Sequence, residues 1–369
     1  MPEHKKQHFV PQMYFKLFSK DNRTIEQITI SDKVHRKVAI KKVCQKDYMY
    51  SKDITIEKFF SSLEGIANNI IQKILAQEVL DLEEYRNLLS FIGLQNRRTL
   101  LEKEILSDLV DKMAKEVLTI NGDVVPDLKN KGITKEFLDE IKVEPTGIYI
   151  QSLYHSLLSS ISFLDLKLIK LVNSTQKDLI FSDHPVVFYN RIKWDQKDHS
   201  LGFFSPGLII FFPINSKTLL LLYDPFHYKV TPIAKKIDIT PPEDNISYFV
   251  GQISSAEDIK KLNKLQFLHC NHTLYFENDT QSKEVIKIIK KNESNREKIR
   301  AVIDRIPHKE GELLHSYREG ISEKIDFTFL KVIRDKTDAI IRTKRLHQWF
   351  DDEMNKLQKE IEKRKHEQP

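Results

Sequence analysis

The chain has 369 residues, 40% of them hydrophobic and 30% charged, with a formal charge of +6, enough apolar material for a sizeable core in two or three domains of average size. The longest apolar runs, around Leu208–Ile214 and Leu219–Tyr223, fall short of the roughly 18 residues of a membrane span, and the opening MPEHKKQHFVPQ lacks the apolar centre of a signal peptide. Cys44 and Cys270 are the only cysteines, which argues against a disulfide framework and fits a cytoplasmic protein.

Taken in chain order, Pro11 opens a short helix to Phe18, at a first turn where its missing N–H costs nothing. Alternation over Thr24–Ile30 and Val34–Val43 predicts a hairpin. Phe60, Leu63, Ala67, Ile70, Ile71 and Ile74 recur at helical spacing and form one apolar face. A second long helix is expected from about Leu82 to Leu118, with Phe91, Leu94, Leu101 and Ile105 on one stripe, and a third from Ile148 to Val172. From Leu179 to about Val250 the pattern becomes short strands cut by turn residues, including a hairpin over Phe211–Tyr223 that turns at Asn215-Ser216-Lys217. Ser254 and Glu257 form a capping-box pattern for a helix to about Leu268, and a strand is expected at Leu274–Phe276.

After Lys283 the pattern returns to helix, and Phe327–Lys365 reads as one extended amphipathic helix. Its apolar residues, Val332, Ile333, Ile340 and Trp349 among them, suit self-association, a protein partner, or packing back on the same domain. The expected fold class is α+β, with an N-terminal hairpin and long helices packed on a mixed or antiparallel sheet. The helical layer runs to about residue 175, the β-rich part over 176–280, and a helical extension over 281–369. Acidic and basic residues are interspersed, so the charge permits a nucleic acid without demanding one.

Four clusters could carry chemistry. His8 stands before a helix start, where the positive end of the dipole lowers an imidazole pKa, as a general base requires. It could equally cap and pack that helix, while His4 and His8 could share a metal only on a helical terminus. Arg98 interrupts an apolar stripe with Gln95 beside it, so its guanidinium must meet a carboxylate or an anionic ligand. Ser182, Asp183 and His184 end an apolar strand before Pro185, which suits either a catalytic cluster or an Asp-anchored turn. His269-Cys270-Asn271-His272 invites zinc but lacks a second ligand pair, and reads better as a helix-to-strand turn. No Gly-rich phosphate loop, G-x-S-x-G elbow or H-E-x-x-H occurs.

The opening K-x-H-F-V-P-x-x-Y-x-x-x-F, Lys6 to Phe18, resembles a bacterial family defined by a domain of unknown function. Further signatures follow in the same order: Lys46-Asp47-Tyr48-Met49-Tyr50, Glu64, Q-x-x-R-T at Gln95, Arg98 and Thr99, S-D-x-P at Ser182–Pro185, F-P-I-x at Phe212–Asn215, and Asn263. The likeness spans residues 4 to about 277. Phe15, Leu100 and His184 depart from it, His184 standing where Asn is frequent, which favours Asp183 over His184 as the reactive residue. The resemblance implies a shared fold and a shared polar set: His8, Gln12, Glu64, Gln95, Arg98, Ser182, Asp183 and Asn263.

Two expectations follow. In the first, the chain is a nucleic-acid-acting hydrolase, a nuclease or phosphodiesterase serving bacterial defence or a toxin system. His8 is then the base, Asp183 and Glu64 hold water or a divalent Mg or Mn ion, and Arg98 holds phosphate, with Gln95, Gln12, Ser182 and Asn263 as further ligand contacts. In the second, the chain is a non-catalytic binding or assembly protein whose polar set is a structural network.

Overall fold

The computed structural model describes residues 5–120, 123–143, 147–195, 201–240, 246–295, 301–308, 311–318 and 323–335. The chain opens with β1 (Lys6–His8), α1 (Gln12–Lys16), a hairpin of β2 (Thr24–Thr29) and β3 (His35–Ala39), and β4 (Gln45–Asp47), which pairs antiparallel with β1. Helices α2 (Ile54–Ala76), α3 (Leu82–Arg97) and α4 (Leu100–Val117) follow, then a ribbon of β5 (Thr119–Ile120) and β6 (Asp123–Val124). The short α5 (Pro126–Lys129) and α6 (Lys135–Glu140) lead to α7 (Ile148–Ser159). The strand-rich part holds β7 (Lys167–Asn173), β8 (Phe181–Ser182), β9 (Val187–Tyr189), β10 (Ile209–Asn215), β11 (Thr218–Tyr223), β12 (Tyr228–Val230), β13 (Ile233–Asp238) and β14 (Ser247–Ile253). Then come α8 (Ala256–His269), β15 (Thr273–Phe276), α9 (Ser282–Asn292), a hairpin of β16 (Ala301–His308) and β17 (Gly311–Arg318), and β18 (Leu330–Val332).

Among the described residues, six strands form a mixed sheet in the order β13-β14-β7-β11-β10-β9, with only the β14–β7 pair parallel. Its central strands are apolar on both faces because both faces are covered. Leu168, Ile210, Phe212, Leu220 and Leu222 face a core that includes Ile71 of α2 and Leu88 and Phe91 of α3. The alternate residues Ile169, Leu171, Ile209, Phe211, Leu219 and Leu221 face a second core with Ile259, Leu262 and Leu265 of α8. The two-residue side-chain period of a strand thus sorts one continuous apolar run into two layers. Lys170 shares the first face and donates to the Leu75 carbonyl at 2.7 Å, satisfying an end group of α2.

A second sheet, β3-β2-β15-β8, is antiparallel throughout. Phe181 of β8 and Tyr275 of β15 meet Tyr14 and Phe15 of α1 and Phe18 of the turn after it, with ring centroids 4.5–5.3 Å apart. Such pairs contribute about 0.5–1.5 kcal/mol each beyond buried area. Tyr14 also stacks on Phe212 at 5.1 Å and donates its hydroxyl to the Pro213 carbonyl. This packing fixes α1, and with it the His8 backbone that precedes it.

The α+β class is as expected, with four differences in its elements. The helix expected over Leu82–Leu118 breaks at Arg98, and Thr99, in extended conformation, caps α4 through the Glu102 amide. The helix expected to reach Val172 ends at Ser159. Lys167–Asn173 is instead the strand between β11 and β14, an apolar run that helical and strand periods fit equally over so short a length. The α8 cap is Ser255 with Asp258, one residue beyond the expected pair. After α9 the extension is a hairpin, and Phe327 and Phe329 turn into the second core, with Phe327 5.2 Å from Phe211. β18 then pairs with β12, so residues 327–335 are not helical. The rest of the segment expected to mediate association lies outside the described residues. Among the described residues no helix is long and apolar enough to cross a membrane.

Candidate functional site

Breaking the helix at Arg98–Thr99 sends two successive side chains to different places. Arg98 is 1% exposed and donates through one Nη to Glu64 of α2 at 2.5 Å and to the His8 carbonyl at 3.0 Å. Its guanidinium lies 5.6 Å from the Phe60 ring centre and 5.9 Å from that of Tyr50. Burial alone would lower its pKa, but Tyr50, Glu64 and Glu57 outweigh that and raise it above the ordinary value, so the guanidinium stays charged. Tyr50 donates its hydroxyl to the same His8 carbonyl at 2.9 Å, and the Gln7 carboxamide binds the Tyr50 amide and the Ser51 carbonyl. The His8 carbonyl is therefore held by both the guanidinium and the Tyr50 hydroxyl.

The side-chain atoms here are not all satisfied. Among the described residues the buried His8 Nε2, Arg98 Nε and Nη1, and Gln95 Oε1 have no hydrogen-bond partner. Gln95 uses its Nε2 on the Phe9 carbonyl at 3.1 Å. Burial pushes the His8 imidazole below its ordinary pKa, opposed by the Glu64 carboxylate and assisted by the Arg98 charge. Glu64 is 22% exposed, so the cluster opens to solvent on its side while Arg98 lies beneath.

Asp183 belongs to another construction. It accepts the Asn271 amide at 2.8 Å, the His272 amide at 2.7 Å and the Thr273 amide at 3.2 Å, with the Cys270 thiol at 3.5 Å. Burial raises its carboxyl above the ordinary range, against the pull of the Asn271 and His272 amides. The His269–His272 tetrad is thus the turn that Asp183 anchors, between α8 and β15. Ser182 binds the His184 carbonyl at 2.9 Å and Gln266 at 3.1 Å, and Gln266 in turn donates to the Pro185 carbonyl. Asn263 accepts the Ile180 amide and donates to the Asp178 carbonyl. These side chains fasten β8 to α8.

Of the residues singled out from the sequence, His8, Glu64, Arg98 and Gln95 come together, whereas Ser182, Asp183 and Asn263 gather around α8. None of the hydrogen bonds of Asp183 joins it to His8, Glu64 or Arg98. Gln12 is the half-buried first residue of α1, and His4 lies outside the described residues. No group of three or more His, Cys, Asp or Glu among the described residues is arranged to hold a metal ion.

Sequence reasoning missed Gln7, Tyr50 and Glu102. Tyr50 could have been found, since it closes the Lys46–Tyr50 signature. Glu102 accepts Arg97 at 2.7 Å and lies 3.9 Å from His184 Nε2, while His184 Nδ1 bonds Thr99 at 2.8 Å. That pairing depends on the helix break, which no local pattern announced.

A family model matches residues 6–280. The chain belongs to the DUF4238 family, proteins of unknown function. Membership accounts for the resemblance read in the sequence, and the DUF4238 match ends just before α9. No curated protein and no solved structure matches the chain.

Proposed function

We propose that this DUF4238 protein is a nucleic-acid-acting hydrolase whose reactive centre is His8, Glu64 and Arg98. One observation carries the reading: His8, Arg98 and Gln95, tied together through the His8 and Phe9 carbonyls, hold four buried polar atoms without partners among the described residues. A buried, unsatisfied donor or acceptor costs about 1–3 kcal/mol, so several in one place suit a ligand better than a scaffold. An imidazole with a lowered pKa is neutral near pH 7 and able to accept a proton.

In this reading water attacks the phosphorus of a phosphodiester, and its proton passes to His8 Nε2. The bond from phosphorus to the leaving oxygen breaks, and the imidazolium returns its proton to that oxygen. Glu64 stabilises the imidazolium in between. Arg98 Nε and Nη1 donate to the non-bridging oxygens, where negative charge develops. Asp183 takes no chemical part and holds the turn before β15.

The second reading, a non-catalytic binding protein, is favoured by the other half of the polar set. Ser182, Asp183 and Asn263 hydrogen-bond backbone groups, as members of a structural network do. The two readings separate on incubation of the protein with tRNA, single-stranded DNA and duplex DNA, with and without magnesium or manganese. Cleavage abolished by both His8→Gln and Glu64→Gln, with melting midpoints kept, supports hydrolysis. Absence of cleavage in every arm, or cleavage that persists in both variants, moves the assignment to the binding protein.

A further inference from the structure

The sequence scatters its lysines among carboxylates, but packing does not leave them scattered. A cleft of about 770 Å³ lies between α8, α9 and the segment 323–326. Eight lysines and four carboxylates line it, an excess of four positive charges in one place, against +6 for all 369 residues.

Part of that charge is neutralised. Lys177 binds Glu284 at 2.7 Å, Lys260 binds Glu257 at 2.7 Å, and Lys264 pairs with Glu323. The α9 wall differs. Lys283, Lys287 and Lys291 are exposed, and none has a carboxylate within ion-pair distance among the described residues. They stand four residues apart, on one stripe, with a rise of about 6 Å between successive ammonium stems. Val285 and Ile289 between them are buried, which fixes the stripe toward solvent. The opposite wall carries Lys260, Lys261 and Lys264 of α8.

We propose that this cleft holds the phosphate backbone of a nucleic acid. A concave, cationic groove with rows of flexible ammonium groups on both walls follows a phosphodiester chain, whereas a membrane surface would be met by a convex or flat face. Lysine rather than arginine, and an apolar floor of Ile288 and Ile325 without a stacking aromatic, favour phosphate contacts over base readout. Binding is therefore tolerant of sequence and steeply weakened by salt. The inference goes beyond the hydrolase reading and stands on the cleft alone, whether or not His8 is reactive.

The test is fluorescence anisotropy with a labelled single-stranded DNA, its RNA counterpart and a duplex, in EDTA so that binding is read without cleavage. The variant Lys283→Glu/Lys287→Glu/Lys291→Glu is compared with Lys20→Glu/Lys37→Glu/Lys290→Glu, which changes the net charge equally at exposed positions outside the cleft. The cleft variant is expected to lose at least tenfold in affinity and to show a log–log salt slope shallower by about 2–3, while the control stays within about threefold. Because binding is read in EDTA without turnover, failure of the hydrolase reading leaves this result untouched. The proposal is overturned if the wild type binds none of the probes at 50 mM salt, if both triple variants weaken alike, or if polyglutamate competes as well as nucleic acid.

Discussion

Asp183 and Arg98 are both buried charges, and the fold satisfies them in opposite ways. Asp183 accepts from three consecutive backbone amides, which leaves its carboxylate saturated and the Asn271–Thr273 turn dependent on it. Arg98 directs one nitrogen to a partly exposed carboxylate and a carbonyl, and keeps two donors unpartnered beside an unpartnered imidazole nitrogen. A saturated group serves the backbone that it binds. A buried group with capacity left over suits a ligand, and that difference separates scaffold from candidate centre more sharply than residue type does.

Substitutions can break or sharpen the comparison. Asp183→Ala is expected to have the largest effect, roughly 3–5 kcal/mol of stability, because three part-buried amides lose their buried acceptor at about 1–3 kcal/mol each, less what water recovers. Chemical denaturation measures it, and a loss below 1 kcal/mol would remove Asp183 from the scaffold. Arg98→Ala should cost roughly 2–4 kcal/mol through the lost pair and the cavity left against Phe60 and Tyr50. Glu64, being partly exposed, regains water in that variant, which keeps the cost below that of a sealed pair.

Thr99→Ala removes both the α4 cap and the partner of His184 Nδ1, for about 1–2 kcal/mol by thermal melting. His8→Gln should be the mildest, within about 1 kcal/mol at pH 7.5, because the hydrogen bonds from Arg98 and Tyr50 reach the His8 carbonyl, which the variant keeps.

His8 also gives a pH signature. Its folded pKa lies below the ordinary value of 6.5, so the folded state prefers the neutral ring. The stability tied to that preference is fully present above about pH 6.5 and is lost as pH falls through the lower, folded value. Between wild type and His8→Gln, the stability difference should therefore shrink in the wild type's disfavour on acidification from pH 7.5 toward 5. A difference that stays constant across that range would contradict a desolvated His8.

Much of the fold was legible because it is written locally. The helical spacing of Phe60 to Ile74 and the alternation around β2 and β3 each depend on residues close in sequence. Strand β7 was not legible, because a run buried on both faces shows no alternation and reads equally as buried helix. The candidate site was legible in its residue types and only partly in its arrangement. Arg98 stood out as a charge in an apolar stripe, which correctly required a partner. Its pairing with Glu64, and the use of Asp183 on amides 88–90 residues away, are long-range facts that no spacing encodes. The lysine cleft was hidden for the same reason, since α8 and residues 323–326 look electrically mixed and the lysines of α9 gain a facing wall only when the three pack together.

The central claim is that the unpartnered cluster around His8 acts on substrate while the saturated Asp183 only holds the fold. The cleavage rate of His8→Gln, on protein whose melting midpoint matches wild type, tests it most directly. A general base contributes about 10²- to 10⁴-fold, so the variant should lose at least a hundredfold with the nucleic acid still bound. Cleavage by folded His8→Gln at the wild-type rate would contradict it.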